Sequence, residues 1–564
     1  MHRRGLTSIT SRVKAAIVVS VVVLLVGAIP ALRAARRLAH SVRAARPVAI
    51  IPEPTSMRSA SFVLECGSAH QAISPYVYGV GGAGGNPWNT GTTARRWGGN
   101  PTTRYNWQLN TWNLSKDWFF RNAGEPGSSY ETFLDENLRH NVETAFTVPM
   151  IGWVAKDANS YSFPVTAFGP QQASGWDVPD SGNGVSAAGE KIVPLPPTQT
   201  SVPAPPEFIE EWITKIREHD PSGRRSVDSY ILDNEPMLWN ETHRDVHPDP
   251  TTYDELLERT IAYGTAIRRA DPGAKIAGPA EWGWTSYQYS AKDTSVRFGT
   301  WLKLDRRMHG NEPLIPWYLR KLREYEQKTG TRLLDILDVH FYPTAPRVGI
   351  GPQGSVDSAT AALRIRSTRS LWDPTYVDES WIHERMMILP LLRQWIAENN
   401  RGLKISIGEW NFGAENHMSG GLAAAEVLGR FATEGVYSAY YWTSPPEKSP
   451  AYWAFRAFRN FDGSGKHFLD FVVPVEGKSE LASVFASTDS SHRHLVAIVL
   501  NFATASPLSA SFSVKGCGNV AATAGFTYAG GPDGFQPLAT RSEEEGLGAT
   551  VNPYSMTVLD FSLQ

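Results

Sequence analysis

The chain has 564 residues, of which 41% are hydrophobic and 20% are charged, the proportions of a folded globular protein rather than a disordered one. Its 54 basic and 56 acidic residues leave a formal net charge of -2, which argues against a nucleic-acid-binding protein, because such proteins usually carry a basic surplus. The length predicts one large domain and one smaller domain.

The N-terminal segment 1–32 contains an apolar run over residues 15–32, with basic residues directly before and after it. A run of this length just spans a bilayer, and the same pattern is typical of a secretory signal peptide. The sequence therefore predicts a signal peptide or a membrane anchor. Both alternatives place the rest of the chain outside the cell, secreted or held at the surface, with membrane contact only through this run. Residues 33–58, rich in Ala, Arg and Pro, are predicted to be a linker.

Both ends of the remaining chain carry strand patterns that alternate apolar and polar residues. Over 465–564 such strands are separated by Gly, Ser and Asn turns, which predicts a small antiparallel β-sandwich. Residues 59–72 have the same character, so we expect them to add a strand to that domain. Cys66 and Cys517 lie in these two regions, and export permits a disulfide between them. The alternative is two unpaired thiols.

Between residues 73 and 464, short apolar runs alternate with amphipathic helical segments. The predicted strands are 76–80, 94–99, 145–152, 228–235, 275–279, 336–342, 404–410 and 436–442. The predicted helices lie near 129–141, 207–219, 252–273, 314–328, 380–398, 419–433 and 451–460. Most of the runs lack clean alternation, which is typical of strands buried on both faces of a parallel sheet. Eight such strand–helix units predict a closed (β/α)8 TIM-like barrel of the α/β class.

Polar side chains follow the predicted strands where the strands end, and the chemistry of such barrels lies at that face. The fourth strand runs into Asn234 and Glu235, and the seventh ends at Glu409 and Trp410. For either glutamate alone, a solvated loop residue is the favoured explanation. Two carboxyl groups facing each other across a barrel mouth are what glycoside hydrolysis requires, one protonated and one ionised. The pair therefore favours a glycosidase.

The stretches "RRWGGNPTTRYNWQLNTWN", "YILDNEPMLWNETHRDVHPDP", "LDILDVHFYP" and "ISIGEWNFGAENHMSGGLAAAEVLGRF", in this order, resemble glycoside hydrolase family 44. The resemblance covers roughly residues 60 to 564. It implies a barrel with a β-sandwich and endo-acting cleavage of β-1,4-glucan backbones, as in cellulose-type glucan and xyloglucan. It also implies that Glu235 is the general acid/base and Glu409 the nucleophile of a retaining, double-displacement reaction.

Supporting roles are predicted for four residues near this pair. We expect Asn234 to hydrogen-bond the sugar 2-hydroxyl, Arg96 to hold Glu409 ionised, and His340 and Tyr342 to orient Glu409. No cofactor and no catalytic metal are expected, although a structural calcium ion is compatible with the loop acids.

Two further carboxyl groups lie near the ends of the predicted strands. Asp233 is expected to be a structural hydrogen-bonding residue behind the site. Glu281 is the rival catalytic carboxylate, ranked third after Glu235 and Glu409. We also expect burial, together with an ionised Glu409 nearby, to raise the pKa of Glu235.

Tryptophan occurs 19 times, and many copies lie in predicted loops. Flat aromatic faces there suit stacking on sugar rings, while core packing is the plainer explanation for any one of them. The predicted substrate-binding residues are Trp97, Asn100, Trp282, Trp284, Trp410 and Trp442. Trp107, Trp112, Trp118, Trp176 and Trp372 are further candidates for the walls of a cleft.

Two other functions compete with a β-glucanase. One is a non-hydrolytic surface protein that binds polysaccharide through the same cleft. The other is a related barrel glycosidase acting on xylan, mannan or arabinan. In every case the expected partner is a polysaccharide, no nucleic acid is expected, and the protein is expected to be a monomer.

Overall fold

The computed structural model describes residues 55–69, 71–82, 86–124, 128–220, 227–295, 302–350, 354–543 and 546–564. The apolar run 15–32 and most of the predicted linker therefore lie outside the described residues. Within the described ranges, no helix combines the length and the apolar character needed to cross a membrane. The chain from Thr55 to Gln564 forms one compact unit.

The first thirteen strands comprise one strand of the sandwich, the eight barrel strands and the four strands of two small two-stranded sheets. They are β1 (Arg58–Glu65), β2 (Gly79–Gly81), β3 (Ala94–Trp97), β4 (Trp112–Asn113), β5 (Asn122–Ala123), β6 (Glu143–Val148), β7 (Trp153–Ala155), β8 (Ser201–Pro203), β9 (Ser229–Leu232), β10 (Lys275–Glu281), β11 (Ile336–Phe341), β12 (Lys404–Trp410) and β13 (Ser438–Tyr441). Eight of them close into a parallel barrel in the order β2-β3-β6-β9-β10-β11-β12-β13. The predicted (β/α)8 fold is confirmed.

Helices connect the barrel strands. They are α1 (Tyr130–Arg139), α2 (Val165–Phe168), α3 (Pro206–His219), α4 (Trp239–Thr242), α5 (Tyr253–Ala270), α6 (Trp284–Gln288), α7 (Ala291–Thr294), α8 (Leu304–Met308), α9 (Leu314–Thr329), α10 (Ser358–Ser367), α11 (Ile388–Asn399), α12 (Met418–Thr433) and α13 (Pro450–Arg459). Local chemistry explains their bounds. Helix α5, for example, begins where the Thr252 hydroxyl accepts a hydrogen bond from the Glu255 amide at 3.1 Å, as the capping-box spacing predicts.

Several predicted boundaries are wrong; the fourth predicted strand, for example, ends at Leu232 rather than at Glu235. The first predicted strand starts too early, because Pro75–Tyr78 forms a 3-10 turn before β2. Helix α11 starts at Ile388 rather than near residue 380. His383 and Met387 adopt positive φ angles of 53° and 35°, which end any regular helix upstream. The segment before α11 is therefore a loop on the carboxyl face of the barrel.

The second domain is a sandwich of two sheets. Its further strands are β14 (Phe471–Val473), β15 (Val475–Glu476), β16 (Ala482–Thr488), β17 (His494–Asn501), β18 (Leu508–Lys515), β19 (Val520–Tyr528), β20 (Gln536–Leu538), β21 (Thr540–Glu543), β22 (Gly546–Val551) and β23 (Ser555–Leu563). One sheet has the order β15-β1-β18-β22-β21 and the other β14-β16-β17-β23-β19-β20. Both ends of the unit that begins at Thr55 therefore build this domain.

Strand β1 joins the sandwich next to β18 and runs parallel to it, from Arg58 opposite Leu508 to Glu65 opposite Lys515. All other pairings among the described strands of the two sheets are antiparallel. A parallel pair needs a long crossover connection, and here the whole barrel lies between the two strands. The disulfide between Cys66 and Cys517, with Cα atoms 5.6 Å apart, ties the ends of the same two strands together.

Candidate active site

Glu235 and Glu409 meet at the mouth of the barrel. Glu409 is the penultimate residue of β12, and Glu235 lies three residues after the end of β9. One carboxylate oxygen of Glu235, one carboxylate oxygen of Glu409 and one ring nitrogen of His340 all lie within 4.8 Å of one another. Inverting glycosidases separate their carboxyl groups by about 6.5–9.5 Å, whereas retaining ones keep them about 5–5.5 Å apart.

Glu409 is held by two donors. Nη1 of Arg96 lies 2.5 Å from Oε1, and the hydroxyl group of Tyr342 donates to Oε2 at 2.8 Å. The Arg96 side chain is fully buried and Glu409 is 5% exposed. Charge-assisted hydrogen bonds to both oxygens fix the orientation of this carboxylate. Both predicted supporting residues, Arg96 and Tyr342, therefore contact Glu409.

Glu235 has a different environment. Its backbone adopts a positive φ of 48°, and its amide donates to the carbonyl of Ala280 at 3.1 Å. Burial raises the pKa of the Glu235 carboxyl to about 7; Arg96 opposes this and Asp117 adds to it. Glu409 was expected to add to the effect of burial on the pKa of Glu235, whereas the charge that adds to it in the structure is Asp117. A carboxyl group with a pKa near neutrality suits a general acid/base.

His340 lies between the two glutamates. Its Nδ1 is 3.0 Å from Oε1 of Glu235 and 3.6 Å from Oε2 of Glu409, so it contacts the acid/base candidate more closely than the predicted partner Glu409. Burial lowers the pKa of His340 to about 4, which keeps the ring neutral at neutral pH. The Tyr287 hydroxyl donates to the backbone carbonyl of His340 and holds the strand end in place.

The three groups are close enough together to ligate one metal ion. However, both oxygens of Glu409 already accept hydrogen bonds from Arg96 and Tyr342, and the guanidinium charge repels a cation. Glu235, His340 and Glu409 therefore fit proton transfer better than metal binding.

A chain of hydrogen bonds leads away from Glu409 along the rim of the site. Nη2 of Arg96 donates to Oδ1 of Asn234 at 2.9 Å. Nδ2 of Asn234 donates to Oδ1 of Asn100 at 3.1 Å, and Nδ2 of Asn100 donates to Oδ2 of Asp117 at 2.8 Å. Asn234 and Asn100 thus lie beside the glutamates. Asp117 was not predicted as a site residue, because it lies 118 positions away from Glu235, in a short loop without a motif.

Asp233 is buried behind the site, as predicted. Its carboxylate accepts hydrogen bonds from the Thr103 hydroxyl at 2.6 Å and from the amides of Met150 and Ile151 at 2.5 and 3.1 Å. Burial nevertheless raises the pKa of Asp233 to about 6. This residue joins the ends of three barrel connections and holds the neighbouring Asn234 in place.

Glu281, the rival carboxylate, ends β10 and is fully buried. Its carboxyl group lies near the Ser286 side chain and the backbone amides of Met237 and Trp282, which act to lower its pKa. Burial raises the pKa of Glu281 well above its ordinary value, with Glu235 adding to the shift. Because its side chain is fully buried, Glu281 has no exposed surface with which to contact a substrate.

The structure corrects two substrate-binding predictions. Trp97 is only 7% exposed and stacks on Phe146 with ring centroids 5.6 Å apart. Trp410 is fully buried, edge-on to Tyr441 at 4.9 Å. Successive side chains of a strand point to opposite faces. Because the preceding residue of each pair, Arg96 or Glu409, points into the barrel mouth, both tryptophans point towards the surrounding helices.

Trp442 keeps a position that suits sugar contact. It is partly exposed, and its ring lies so close to Gly81 and Gly99 that a Cβ atom added there would be 2.7 and 2.5 Å from ring carbons. The two glycines make room for a flat aromatic surface beside Arg96. Trp282 and Trp284, also predicted, are partly buried in the loop after β10.

Among the tryptophans that the structure describes, two have most of their surface exposed. Trp176, predicted as a cleft residue, has 80% of its surface exposed. Trp381, which the sequence analysis missed inside a predicted helix, is 67% exposed. The loop carrying Trp381 is held to the site by a hydrogen bond of 2.8 Å from the Thr344 hydroxyl to that of Ser380. Thr344 follows Tyr342 by two residues, so Trp381 belongs to the same face of the barrel.

Two facing glutamates at the mouth of a (β/α)8 barrel are the architecture of a glycoside hydrolase. Residues 111–345 match the model of glycoside hydrolase family 44. The chain is 32% identical over 499 residues to Endoglucanase A of Paenibacillus lautus, covering 83% of this chain and 67% of that protein. The chain belongs to glycoside hydrolase family 44 and is a glycoside hydrolase.

Solved structures agree with this assignment. CelM2, a bifunctional glucanase-xylanase from a metagenome library, superposes with a TM-score of 0.84 and 32% identity, covering 90% of this chain and all of that one (100%). A Paenibacillus polymyxa xyloglucanase of family 44 superposes with a TM-score of 0.75 and 26% identity over 90% of this chain and 100% of that one. Both comparisons include the barrel and the sandwich.

Proposed function

We propose that the protein is a retaining, endo-acting β-1,4-glucanase that cleaves glucan or xyloglucan backbones. The observation that carries the proposal is the contrast between two adjacent carboxyl groups. Glu235 has a pKa raised to about 7 by burial, whereas Glu409 accepts hydrogen bonds from Arg96 and Tyr342 at both oxygens. One group is suited to deliver a proton and the other to attack as an anion.

In the first step, Glu409 attacks the anomeric carbon and Glu235 transfers its proton to the departing glycosidic oxygen. A covalent glycosyl-enzyme results, and the aglycone leaves with the proton. In the second step, Glu235, now ionised, takes a proton from water, and that water displaces Glu409 from the anomeric carbon. Neutral His340, in contact with Glu235, keeps its carboxyl group turned towards Glu409 in both steps.

Asn234 is proposed to hydrogen-bond the sugar 2-hydroxyl. Its Oδ1 already accepts from Arg96, and its Nδ2 contacts Asn100, so its amide plane is fixed beside the reacting centre. A donor or acceptor held in this way strengthens its bond to the substrate in the transition state without reorganising.

The substrate class is proposed from the aromatic surfaces and the relatives. Trp442, Trp381 and Trp176 offer partly or largely exposed rings on the face of the barrel that carries the glutamates. Flat apolar rings suit the faces of β-linked pyranoses. The names of the relatives refer to endoglucanase and xyloglucanase activity, and that of CelM2 adds xylanase. Xylan is therefore the second substrate to test.

A substrate panel with two variants tests the proposal. Wild type, Glu235→Gln and Glu409→Gln are assayed on xyloglucan, carboxymethyl cellulose, xylan, mannan and arabinan, with sizing of the products. We expect internal cleavage of glucan or xyloglucan by wild type and a loss of at least about 10³-fold in each variant, with binding retained. Proton NMR of the first products reads the anomer, and a β-anomer supports retention. Binding without hydrolysis by all three proteins would leave only a polysaccharide-binding function.

We also propose that the enzyme works outside the cell. Its polymeric substrate does not cross membranes, and the disulfide between Cys66 and Cys517 suits an oxidising compartment. Fractionation of the native host, with N-terminal sequencing of the recovered protein, tests this location and distinguishes a cleaved signal from an anchor. Recovery in the reducing cytosol would contradict it.

A further inference from the structure

Asp117 is an exposed carboxylate close to the catalytic pair. It lies in a short 3-10 turn, Lys116–Trp118, on the loop that follows β3. It forms no ion pair with any residue in the described ranges, so its negative charge is not neutralised locally. Its one described side-chain partner is Asn100, at 2.8 Å.

The loop that carries Asp117 is built rigidly. Ser115 and Phe119, on either side of the turn, have positive φ angles of 58° and 56°. Buried Asn113 secures this conformation, since its Oδ1 accepts from the Ser115 amide at 2.9 Å and its Nδ2 donates to the Phe120 carbonyl at 3.0 Å. The Ser115 hydroxyl then accepts from the amide of Asp117 at 3.2 Å. Such backbone conformations are retained when the surroundings enforce them.

We infer that Asp117 is a positioning residue for the catalytic pair: its carboxylate, bonded to Asn100, completes the hydrogen-bond chain that ends at Glu409 and places a negative charge two hydrogen bonds away from Asn234, the residue before Glu235. This inference rests on the proposed function, because it assigns Glu235 as the acid. Four hydrogen bonds connect the two ends of the chain, through Asn100, Asn234 and Arg96.

Other groups around Glu235 also act on its protonation. The titratable and charged side chains that face it from the neighbouring elements are Arg96, Glu281, Tyr287, His340, Tyr342 and Glu409. Arg96 lowers the pKa of Glu235, whereas burial and Asp117 raise it. Burial lowers the pKa of His340 to about 4, which leaves its ring neutral near pH 7, and burial raises the pKa of Glu281 well above its ordinary value. Asp117 is the exposed charge that can be changed without opening the core.

The test compares Asp117→Asn with Asp117→Glu and with Asp533→Asn. Asparagine keeps an acceptor for Asn100 but removes the charge, while glutamate keeps the charge. Asp533→Asn makes the same charge change in an exposed loop of the sandwich. The readouts are the pH profile of kcat/KM on soluble xyloglucan or carboxymethyl cellulose, and the carboxyl ¹³C titration of Glu235 in protein labelled with [5-¹³C]glutamate. Glu235→Gln assigns the resonance.

We expect the alkaline limb and the ¹³C midpoint of Asp117→Asn to move to lower pH by about 0.5 unit, since a nearby exposed charge is partly screened. At pH values above the alkaline limb, this shift corresponds to a kcat/KM of Asp117→Asn about threefold lower than that of wild type. Asp117→Glu and Asp533→Asn are expected to titrate like wild type. An unchanged midpoint in Asp117→Asn overturns the inference. If wild type cleaves no glycan, the proposed function fails, yet the ¹³C titration still decides the role of Asp117.

Discussion

Arg96 and Glu409 form a buried ion pair in the mouth of the barrel, with Nη1 and Oε1 2.5 Å apart. The other terminal nitrogen of Arg96 donates to Asn234, so one guanidinium group sets the positions of two residues at the barrel mouth. The planar guanidinium group of arginine can donate to both residues at once, whereas the compact ammonium group of lysine is not suited to this double contact. The geometry of the site therefore depends on a residue that supplies no proton.

Arg96→Lys is expected to lower kcat by about 10²–10³-fold, because a single ammonium group cannot hold Glu409 and Asn234 together. Steady-state kinetics on soluble glucan measure the loss. Arg95→Lys is the matched control. Arg95 is equally buried but bonds Glu136 and Asn137 on the outer side of the barrel. Equal losses of kcat in the two variants would show that Arg96 acts only through stability.

Glu235→Gln is expected to stabilise the protein at alkaline pH. The pKa of Glu235 rises from an ordinary value of 4.5 to about 7 on folding, so folded wild type binds the proton more tightly and loses stability as pH rises between these values. The Glu235 side chain is only 13% exposed. Relative to wild type, the free energy of unfolding of Glu235→Gln is therefore expected to be higher by on the order of 2 kcal/mol above pH 7, and the difference is expected to be small near pH 5. Urea unfolding at both pH values measures it. A gain that does not depend on pH would contradict this origin.

Trp381→Ala is expected to raise KM for polymeric substrate about tenfold while leaving the folding stability close to wild type, because the side chain is 67% exposed. Trp97→Ala is the contrasting variant. Since Trp97 is only 7% exposed, its truncation is expected to cost about 3–5 kcal/mol. Kinetics on polymer and on short oligosaccharides, with thermal unfolding, separate the two effects. An unchanged KM in Trp381→Ala would remove this ring from the proposed cleft.

Gly408→Ala is expected to lower kcat at least tenfold. An added Cβ atom would lie 2.5 Å from Oδ2 of Asp338, a buried carboxyl group inside the barrel. The strand then has to shift, and the next residue, Glu409, shifts with it; a displacement near 1 Å in an active site costs about 10²-fold in rate. Gly349→Ala serves as the control, because nothing lies within 4 Å of its added carbon. Normal kinetics in Gly408→Ala would show that β12 tolerates the side chain.

Replacing Cys66 and Cys517 by serine is expected to destabilise the sandwich by about 2–4 kcal/mol while leaving kcat unchanged. The bond joins residues separated by 451 positions, at the ends of β1 and β18. Thermal unfolding with and without reductant checks this. Reductant should lower the Tm of wild type and not that of the double variant, and equal shifts in both would argue against the disulfide.

Local patterns predicted much of the architecture. Apolar runs located all eight barrel strands, and the capping residue of α5 located its start. The predictions failed where side-chain direction mattered. Trp97 and Trp410 follow Arg96 and Glu409 in their strands and were expected at the cleft, although alternation sends them into the core. Trp381 was missed because its loop was assigned to a helix.

The sequence by itself determined the strand and helix order, the two glutamates and the family resemblance, because periodicity and motifs are properties of neighbouring residues. Only the tertiary structure decided which face of each strand looks into the barrel mouth, that His340 contacts Glu235, and that Asp117 joins the site through Asn100. These relationships depend on closure of the barrel, which brings residues more than a hundred positions apart within a few ångströms. Patterns among neighbouring residues do not specify which distant residues face each other once the barrel has closed.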